Sequence, residues 1–240
     1  MATAELIARD YAARMSSFGR RSPDRFVAEL AGLTIFSLGV DEPWGLQVIA
    51  VQAEPNIGAV SEAVSWCRRR CGRPPQIVVR EQHRGRFPAY DVNETLVALV
   101  APVARTDVAA PALAVESAAD VAEFRHVYGR SFDMRAGLVD ALVLEADLTA
   151  LPHLLGRVDG RAVACAQVRA GHQLALVSGV GVLPEHRGHG YGTAMLTACR
   201  EQAAELGCEL VWLNAEPQTA PFYEGIGFER VDTYVALMAS

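Results

Sequence analysis

The stretch that most constrains this chain is residues 180–193, VGVLPEHRGHGYGT. An apolar strand pattern halts at Pro184, glycine follows at every second position (Gly188, Gly190, Gly192), and Tyr191, Ala194, Met195 and Ala198 then take up helical spacing. Glycine lets the backbone come close to a ligand. The first turn of a helix adds N–H groups without intrahelical partners and the positive end of its dipole. The segment therefore predicts an anion site whose ligand carries phosphate.

A Walker-type loop would end in Gly-Lys-Ser or Gly-Lys-Thr, and the 240-residue sequence contains no lysine, so that reading is excluded. A dinucleotide fingerprint places Gly-x-Gly-x-x-Gly near the start of a domain, with an acidic residue about 20 positions on. Here the spacing is Gly-x-Gly-x-Gly, and it falls late in the chain. What remains is Arg187-x-x-Gly190-x-Gly192.

A hydrophobic share of 51% supplies a sizeable buried core. No run approaches the roughly 20 apolar residues of a membrane span, and the N-terminus lacks the layout of a signal peptide, so a cytoplasmic location is expected. The cysteines, Cys67, Cys71, Cys165, Cys199 and Cys208, are odd in number and lie in apolar patterns, as reduced, buried thiols do. Cys67 and Cys71 have no second pair to complete a metal site, and no metal is expected. Up to residue 110 there are 13 Arg against 12 Asp plus Glu, about +1; beyond it 9 stand against 16, or −7, which sum to the −6 of the whole chain. The acidic half carries the glycine loop. Its field favours a cationic amine and disfavours nucleic acid.

In chain order, residues 1 to about 30 read as helical, with Leu6, Ile7, Tyr11, Phe26, Val27 and Leu30 in register around a start signal at Ser22-Pro23. Strands are predicted at 33–38 and 44–51, a helix at 57–71, and strands at 76–80 and 94–103, with a turn-rich segment between the last two. Residues 105–111 form the predicted boundary between a domain at 1–110 and another at 111–240. The second begins with a strand at 112–116. Ser117 is predicted to cap a helix at 119–131, and a further helix spans 135–147. Strands follow at 153–158, 161–170 and 173–182, the first two joined by an Asp159-Gly160 hairpin turn. Gly179 and Gly181 inside the last of these predict a bulge or a close backbone approach. After the loop come a helix at 190–206, stopped by Gly207, a strand at 210–214, a short helix and two final strands.

Arg187-x-x-Gly190-x-Gly192 resembles the pyrophosphate loop of the GNAT superfamily of N-acetyltransferases. The segment 214–228 looks like a second GNAT feature: Asn214 at a strand end, a short helix carrying Tyr223, then Gly227-Phe228. The resemblance covers about 112–240 and implies the GNAT fold, a mixed α/β (α+β) architecture with a mostly antiparallel twisted sheet flanked by helices. The smaller N-terminal α/β part resembles a degenerate copy of the same fold. It ends in TLVALVA where the chain ends in TYVALMA, and it has Ala53-Glu54-Pro55-Asn56-Ile57-Gly58 in place of a glycine loop.

The resemblance implies acetyl-CoA as donor. Val180, Gly181 and Val182 would pair with its pantetheine arm, and backbone N–H groups of Arg187, Gly188, His189, Gly190, Tyr191, Gly192 and Thr193 would hold the pyrophosphate. Asn214 would contact the coenzyme, and Tyr223 would protonate the departing thiolate. The acceptor would be a primary amine of a small molecule or peptide, attacking directly. A homodimer is in keeping with the family. The alternative is a non-catalytic CoA-binding sensor or structural module, which has no need of Tyr223. For the general base, Glu185 and Glu216 are within reach of the cleft, with His126, Asp133 and His172 on the acceptor side. None of the five is assigned.

Overall fold

The structure, a computed structural model, describes residues 3–18, 25–104, 111, 113–171 and 173–239. The first elements are α1 (Thr3–Phe18), β1 (Phe26–Leu30), β2 (Leu33–Ser37), β3 (Leu46–Ala50), α2 (Ile57–Cys71), β4 (Gln76–Arg80) and β5 (Tyr90–Pro102). There follow β6 (Ala114–Ser117), α3 (Val121–Ser131), α4 (Ala136–Leu142), α5 (Glu145–Ala150), β7 (His153–Val158), β8 (Arg161–Ala170) and β9 (Leu174–Val182). The chain closes with α6 (Tyr191–Glu205), β10 (Leu210–Ala215), α7 (Ala220–Glu224) and β11 (Glu229–Ala239).

Two compact units emerge. One comprises Met1–Ala98, Ala215–Ala220 and Arg230–Ser240; the other comprises Leu99–Asn214 and Pro221–Glu229. The boundary predicted at 105–111 falls mostly outside the described residues. In the first unit the strand order is β1-β2-β3-β4-β11-β5, and in the second it is β5-β10-β9-β8-β7-β6. β3 with β4 and β9 with β10 run parallel, and β1 with β2, β2 with β3, β4 with β11, β6 with β7, β7 with β8 and β8 with β9 run antiparallel.

The first unit is built on the apolar stripe of α2. Val60, Ala63, Val64 and Cys67 recur at helical spacing and pack on Ile35, Val48, Ile77 and Val79. Asn56 caps the helix through Oδ1, which accepts from the Ala59 N–H at 3.1 Å, and Gly72 ends it at φ +71. The last strand of the sequence belongs to this core. β11 pairs with β4, setting Val235 against Val79 and Leu237 against Ile77. Arg80, nearly buried, bonds Glu5 of α1 at 2.6 Å and Asp232 of β11 at 3.1 Å, so one side chain ties three elements.

Several expectations need correction. Phe26, Val27 and Leu30 lie on a strand, not a helix: Ala31 (φ +50) and Gly32 (φ +78) make a tight turn that folds β1 onto β2 from Phe26↔Ser37 to Leu30↔Leu33. The Ser22-Pro23 signal lies outside the described residues. Ser117 is not the cap of α3. It ends β6, paired with Leu154, while Asp120 Oδ1 accepts from the Ala122 N–H at 2.8 Å. The single helix expected at 135–147 is α4 and α5, parted at Val143.

The second unit orients two helices on opposite faces of its strands. Leu155 packs with Phe124 and Val127 of α3, whereas a Cβ on the adjacent Gly156 would meet Met195 Sδ of α6 at 2.8 Å. Successive strand residues face opposite ways, so α3 and α6 flank the strands from either side.

Candidate active site

The predicted irregularity in β9 is a bulge. Cys165 of β8 opposes Gly181 and Gln167 opposes Ser178, so one residue of β8 faces two of β9, Gly179 and Val180. Gly179 sits at φ +60, and a Cβ there would lie 2.7 Å from Tyr128 Cε2. At Gly181 a Cβ would lie 2.6 Å from Ser131 Cβ. The C-terminal turn of α3 is thus packed directly against the backbone of β9, which only glycine allows. The buried Cys165 thiol reaches the Gly179 carbonyl at 3.5 Å, and burial pushes its pKa up to about 12, so it stays a neutral packing group.

β9 then separates from its parallel neighbour. Leu210, Val211 and Trp212 of β10 register with Leu174, Ala175 and Leu176, and beyond that point the two strands part. Ser178, Gly179, Val180 and Val182 become half-exposed while β9 upstream is buried. On the other side of the opening stands Asn214, whose Oδ1 is buried without a hydrogen-bond partner among the described residues. An orphaned buried acceptor costs about 1–3 kcal/mol and marks a place where a donor is wanted.

The loop from β9 to α6 completes the site. Gly188 and Gly190 both adopt φ +78. His186 and Arg187 N–H bond back to Leu183 and Pro184, and the first amide of α6 to find a backbone acceptor is Ala194, on Gly190 O at 3.1 Å. Between them, the N–H groups of Gly188, His189, Gly190, Tyr191, Gly192 and Thr193 donate to no protein acceptor among the described residues. Left-handed glycines alternating with ordinary residues leave backbone N–H groups together, a geometry suited to an anion, here ending on an uncapped helix N-terminus.

The Arg187 guanidinium is otherwise engaged. Nε donates to Val182 O at 3.2 Å and an Nη to Ser131 O at 2.8 Å, bracing the loop against the ends of β9 and α3. His189 stacks on Tyr191 with ring centroids 5.7 Å apart. Gly192 is crowded by Phe222 of α7, whose Cζ would stand 3.3 Å from a Cβ there.

Tyr223 follows Phe222 on the short α7. Its backbone carbonyl accepts from Ile226 and Phe228, and its ring packs edge-on against Phe222 and Phe228. The buried Arg200 of α6 steadies this turn, donating to Ile226 O at 3.0 Å with its guanidinium 4.7 Å over Phe228. Burial, and then the neighbouring Cys199, raise the Tyr223 pKa, so the phenol holds its proton at neutral pH. Its hydroxyl makes no hydrogen bond among the described residues.

The acidic and histidine candidates scatter. Glu185 forms a two-pronged ion pair with Arg130 at 2.9 and 3.3 Å; its own backbone N–H and that arginine hold its carboxyl below the usual range. Glu216 carries the Gln218 amide on its carboxylate and, after burial, is the second influence raising the pKa of Glu94. His126 and Asp133 line a cavity of about 320 Å³ between α3 and α4, and His172 lies outside the described residues. Sequence reasoning missed the polar row formed by Ser178, Gln167 and His153; the alternation of Val163, Cys165 and Gln167 placed Gln167 on an apolar face, which was its only signal.

Residues 150–230 match the family model for the acetyltransferase (GNAT) domain. The whole chain is similar to a GCN5-related N-acetyltransferase from Kribbella flavida, at 20% identity over 99% of this chain and 95% of that one, with a TM-score of 0.72. A GCN5-related N-acetyltransferase from Sphaerobacter thermophilus matches at 15% identity over 98% and 91% of the two chains, TM-score 0.61. A tandem GNAT protein from the clavulanic acid biosynthesis pathway matches at 15% identity over 99% and 96%, TM-score 0.59. The fold is that of GNAT proteins, and β9, the glycine loop, α6, β10 and Tyr223 all lie within the residues that match the GNAT acetyltransferase model.

Proposed function

We propose that this protein is an acetyl-CoA-dependent N-acetyltransferase acting on a primary amine of a small molecule or peptide. The observation that carries the reading is the run of six successive backbone N–H groups, Gly188 to Thr193, that find no protein acceptor beside a parallel strand pair that opens. These residues suit the coenzyme. The loop offers its pyrophosphate more donors than any side chain could, the freed edge of β9 at Val180, Gly181 and Val182 offers main-chain bonds to an extended amide-containing arm, and Asn214 Oδ1 awaits an N–H. Arg187, whose N–H is taken by Pro184 O and whose guanidinium braces the loop, leaves the anion to the amides that follow it.

When bound, acetyl-CoA would supply a thioester carbonyl to a neutral amine; as the C–N bond formed and the C–S bond broke, the amine nitrogen would lose a proton to water and the thiolate would need one. Tyr223 is suited to give it, because a phenol kept neutral by burial donates without a prior protonation step, a contribution of about 10²-fold. The bulge at Gly179 and Val180 takes backbone amides out of the regular ladder beside the opening, and one of them would be the donor that meets developing oxyanion charge. We place the enzyme in the cytoplasm, where its five free thiols stay reduced. Dimerisation is part of the reading and is checked by sedimentation.

The test is thiol release from acetyl-CoA across a panel of primary amines and peptide N-termini. Turnover that falls in Tyr223→Phe while acetyl-CoA still raises the melting temperature supports the enzyme. Coenzyme binding with no turnover on any amine would replace it with a CoA-binding module.

A further inference from the structure

A buried polar row crosses the second unit and ends in the cleft. His153 of β7, Gln167 of β8 and Ser178 of β9 are direct cross-strand partners, so their side chains share one face of the sheet, the face covered by α3. Phe124 of α3 lies edge-on to the His153 ring at 4.8 Å. His153 is 2% exposed and Gln167 6%, and burying two such groups is costly unless they are hydrogen-bonded.

The bonds run in one direction. Leu151 O, a pure acceptor 2.8 Å from His153 Nδ1, fixes the proton on that nitrogen. In the neutral ring Nε2 is then an acceptor, and it takes the Gln167 amide N–H at 2.8 Å. With its NH2 so committed, Gln167 presents Oε1 to the Ser178 hydroxyl, which donates to it at 3.3 Å. Ser178 has therefore spent its only proton, and its Oγ can act only as an acceptor toward anything else.

Ser178 is also where the cleft begins. It is the residue before the bulge and half-exposed in the middle of the sheet. Continuing the β9 and β10 register two residues past Trp212↔Leu176 brings Asn214 opposite Ser178, across the opening rather than within bonding reach. Ser178 Oγ is thus an acceptor where the strands part, and Asn214 Oδ1, opposite it by register, has no hydrogen-bond partner among the described residues.

We propose that Ser178 receives the acceptor amine: its Oγ takes an N–H of a neutral primary amine, leaving the nitrogen lone pair for the thioester, while Gln167 and His153 act as positioning residues that fix the hydroxyl's direction. This rests on the acetyl-transfer reading above. A primary amine suits the site because it keeps one N–H for Ser178 and a lone pair for attack. A ligand group offering only acceptors would face Ser178 lone pair to lone pair.

The experiment measures amine kinetics at saturating acetyl-CoA, with coenzyme affinity measured separately by calorimetry, for wild type, Ser178→Ala, Gln167→Met and the double variant. Ser178→Ala should lower kcat/KM for the amine roughly five- to tenfold, mostly through KM, with acetyl-CoA affinity unchanged. Gln167→Met frees the hydroxyl to point elsewhere and should cost a similar factor, and the double variant should cost little more than either single one. Unchanged amine kinetics in Ser178→Ala would overturn the assignment while leaving acetyl transfer intact. Loss of coenzyme affinity in its place would assign Ser178 to the coenzyme's own amides and overturn it likewise. Wild type that turns over no amine would remove the transfer reading and this role together. Additive losses in the double variant would uncouple Gln167 from Ser178 and overturn the positioning role.

Discussion

Gly190→Asp puts a carboxylate where the anion cradle is expected, and its cost can be worked out for the fold and the ligand separately. Gly190 sits at φ +78, and a Cβ there would lie 3.1 Å from Pro111 Cδ. Asp tolerates the left-handed region better than most residues, so strain and crowding should cost about 1–2 kcal/mol. A carboxylate at the start of α6 returns about 0.3–1 kcal/mol through the helix dipole. The variant should therefore fold, with a melting temperature lowered by a few degrees at most. The ligand suffers far more: at about 5 Å and an effective dielectric near 20, each phosphate charge is opposed by about 3 kcal/mol, roughly 100-fold or more in Kd. With acetyl-CoA at about 100 times the wild-type Kd, wild type should gain about 2.7 kcal/mol of stability and the variant about 0.4 kcal/mol or less. Gly188→Ala is the control, since it shares φ +78 but a Cβ there meets nothing within 4 Å and brings no charge. Differential scanning fluorimetry reads all three. Equal acetyl-CoA shifts in wild type and Gly190→Asp would refute the loop assignment.

The raised pKa of Tyr223 means its donor form is present below that pKa and lost as pH rises through it, so the alkaline limb of kcat should lie above the ordinary tyrosine value near 10, and Tyr223→Phe should lose that limb together with about 10²-fold of rate. A wild-type limb already falling at about pH 8 would assign the acid elsewhere. Asp120→Ala should cost about 1 kcal/mol in a urea denaturation, and Ser117→Ala less than about 0.5 kcal/mol, because the α3 cap bond belongs to Asp120. Ending the chain at residue 229 removes the buried Tyr234, Val235 and Leu237, about 5–9 kcal/mol of burial, and should expose the first unit to limited proteolysis; a resistant fragment 3–98 would refute that dependence.

What the sequence disclosed was local. Ile57–Cys71 and Gln76–Arg80 form as their periodicity predicts, and Asp159 (φ +49) with Gly160 (φ +77) turns as the dipeptide suggests. The bulge at Gly179 and the glycine loop were legible because glycine in a strand or turn has few other uses. Pairing between distant segments was not legible. That TYVALMA sits beside the strand of Gln76–Arg80 follows from which edges need covering, and the five residues at 26–30, four of them apolar, carry too short a pattern to separate helix from strand. The row Ser178, Gln167 and His153 stayed hidden because the three lie on three different strands, and only cross-strand register joins them.

The parallel pairs β3–β4 and β9–β10 differ in how far their register runs. β3 and β4 stay in register from Gln47↔Gln76 to Ala50↔Val79, to the last residue of β3, leaving no edge for an extended ligand. The helix that follows, α2, has its N-terminus satisfied by its own chain through Asn56. β9 and β10 hold register for three residues and then part, and α6 begins at a left-handed glycine with no side-chain cap. In each half the same backbone groups are at stake, strand-edge amides and the first turn of a helix. In the first half the Ala59 amide is taken by the Asn56 side chain and the parallel register runs to the end of β3. The second leaves such groups unpaired, and because unsatisfied donors and acceptors reduce stability, a fold retains such a set where a ligand completes it.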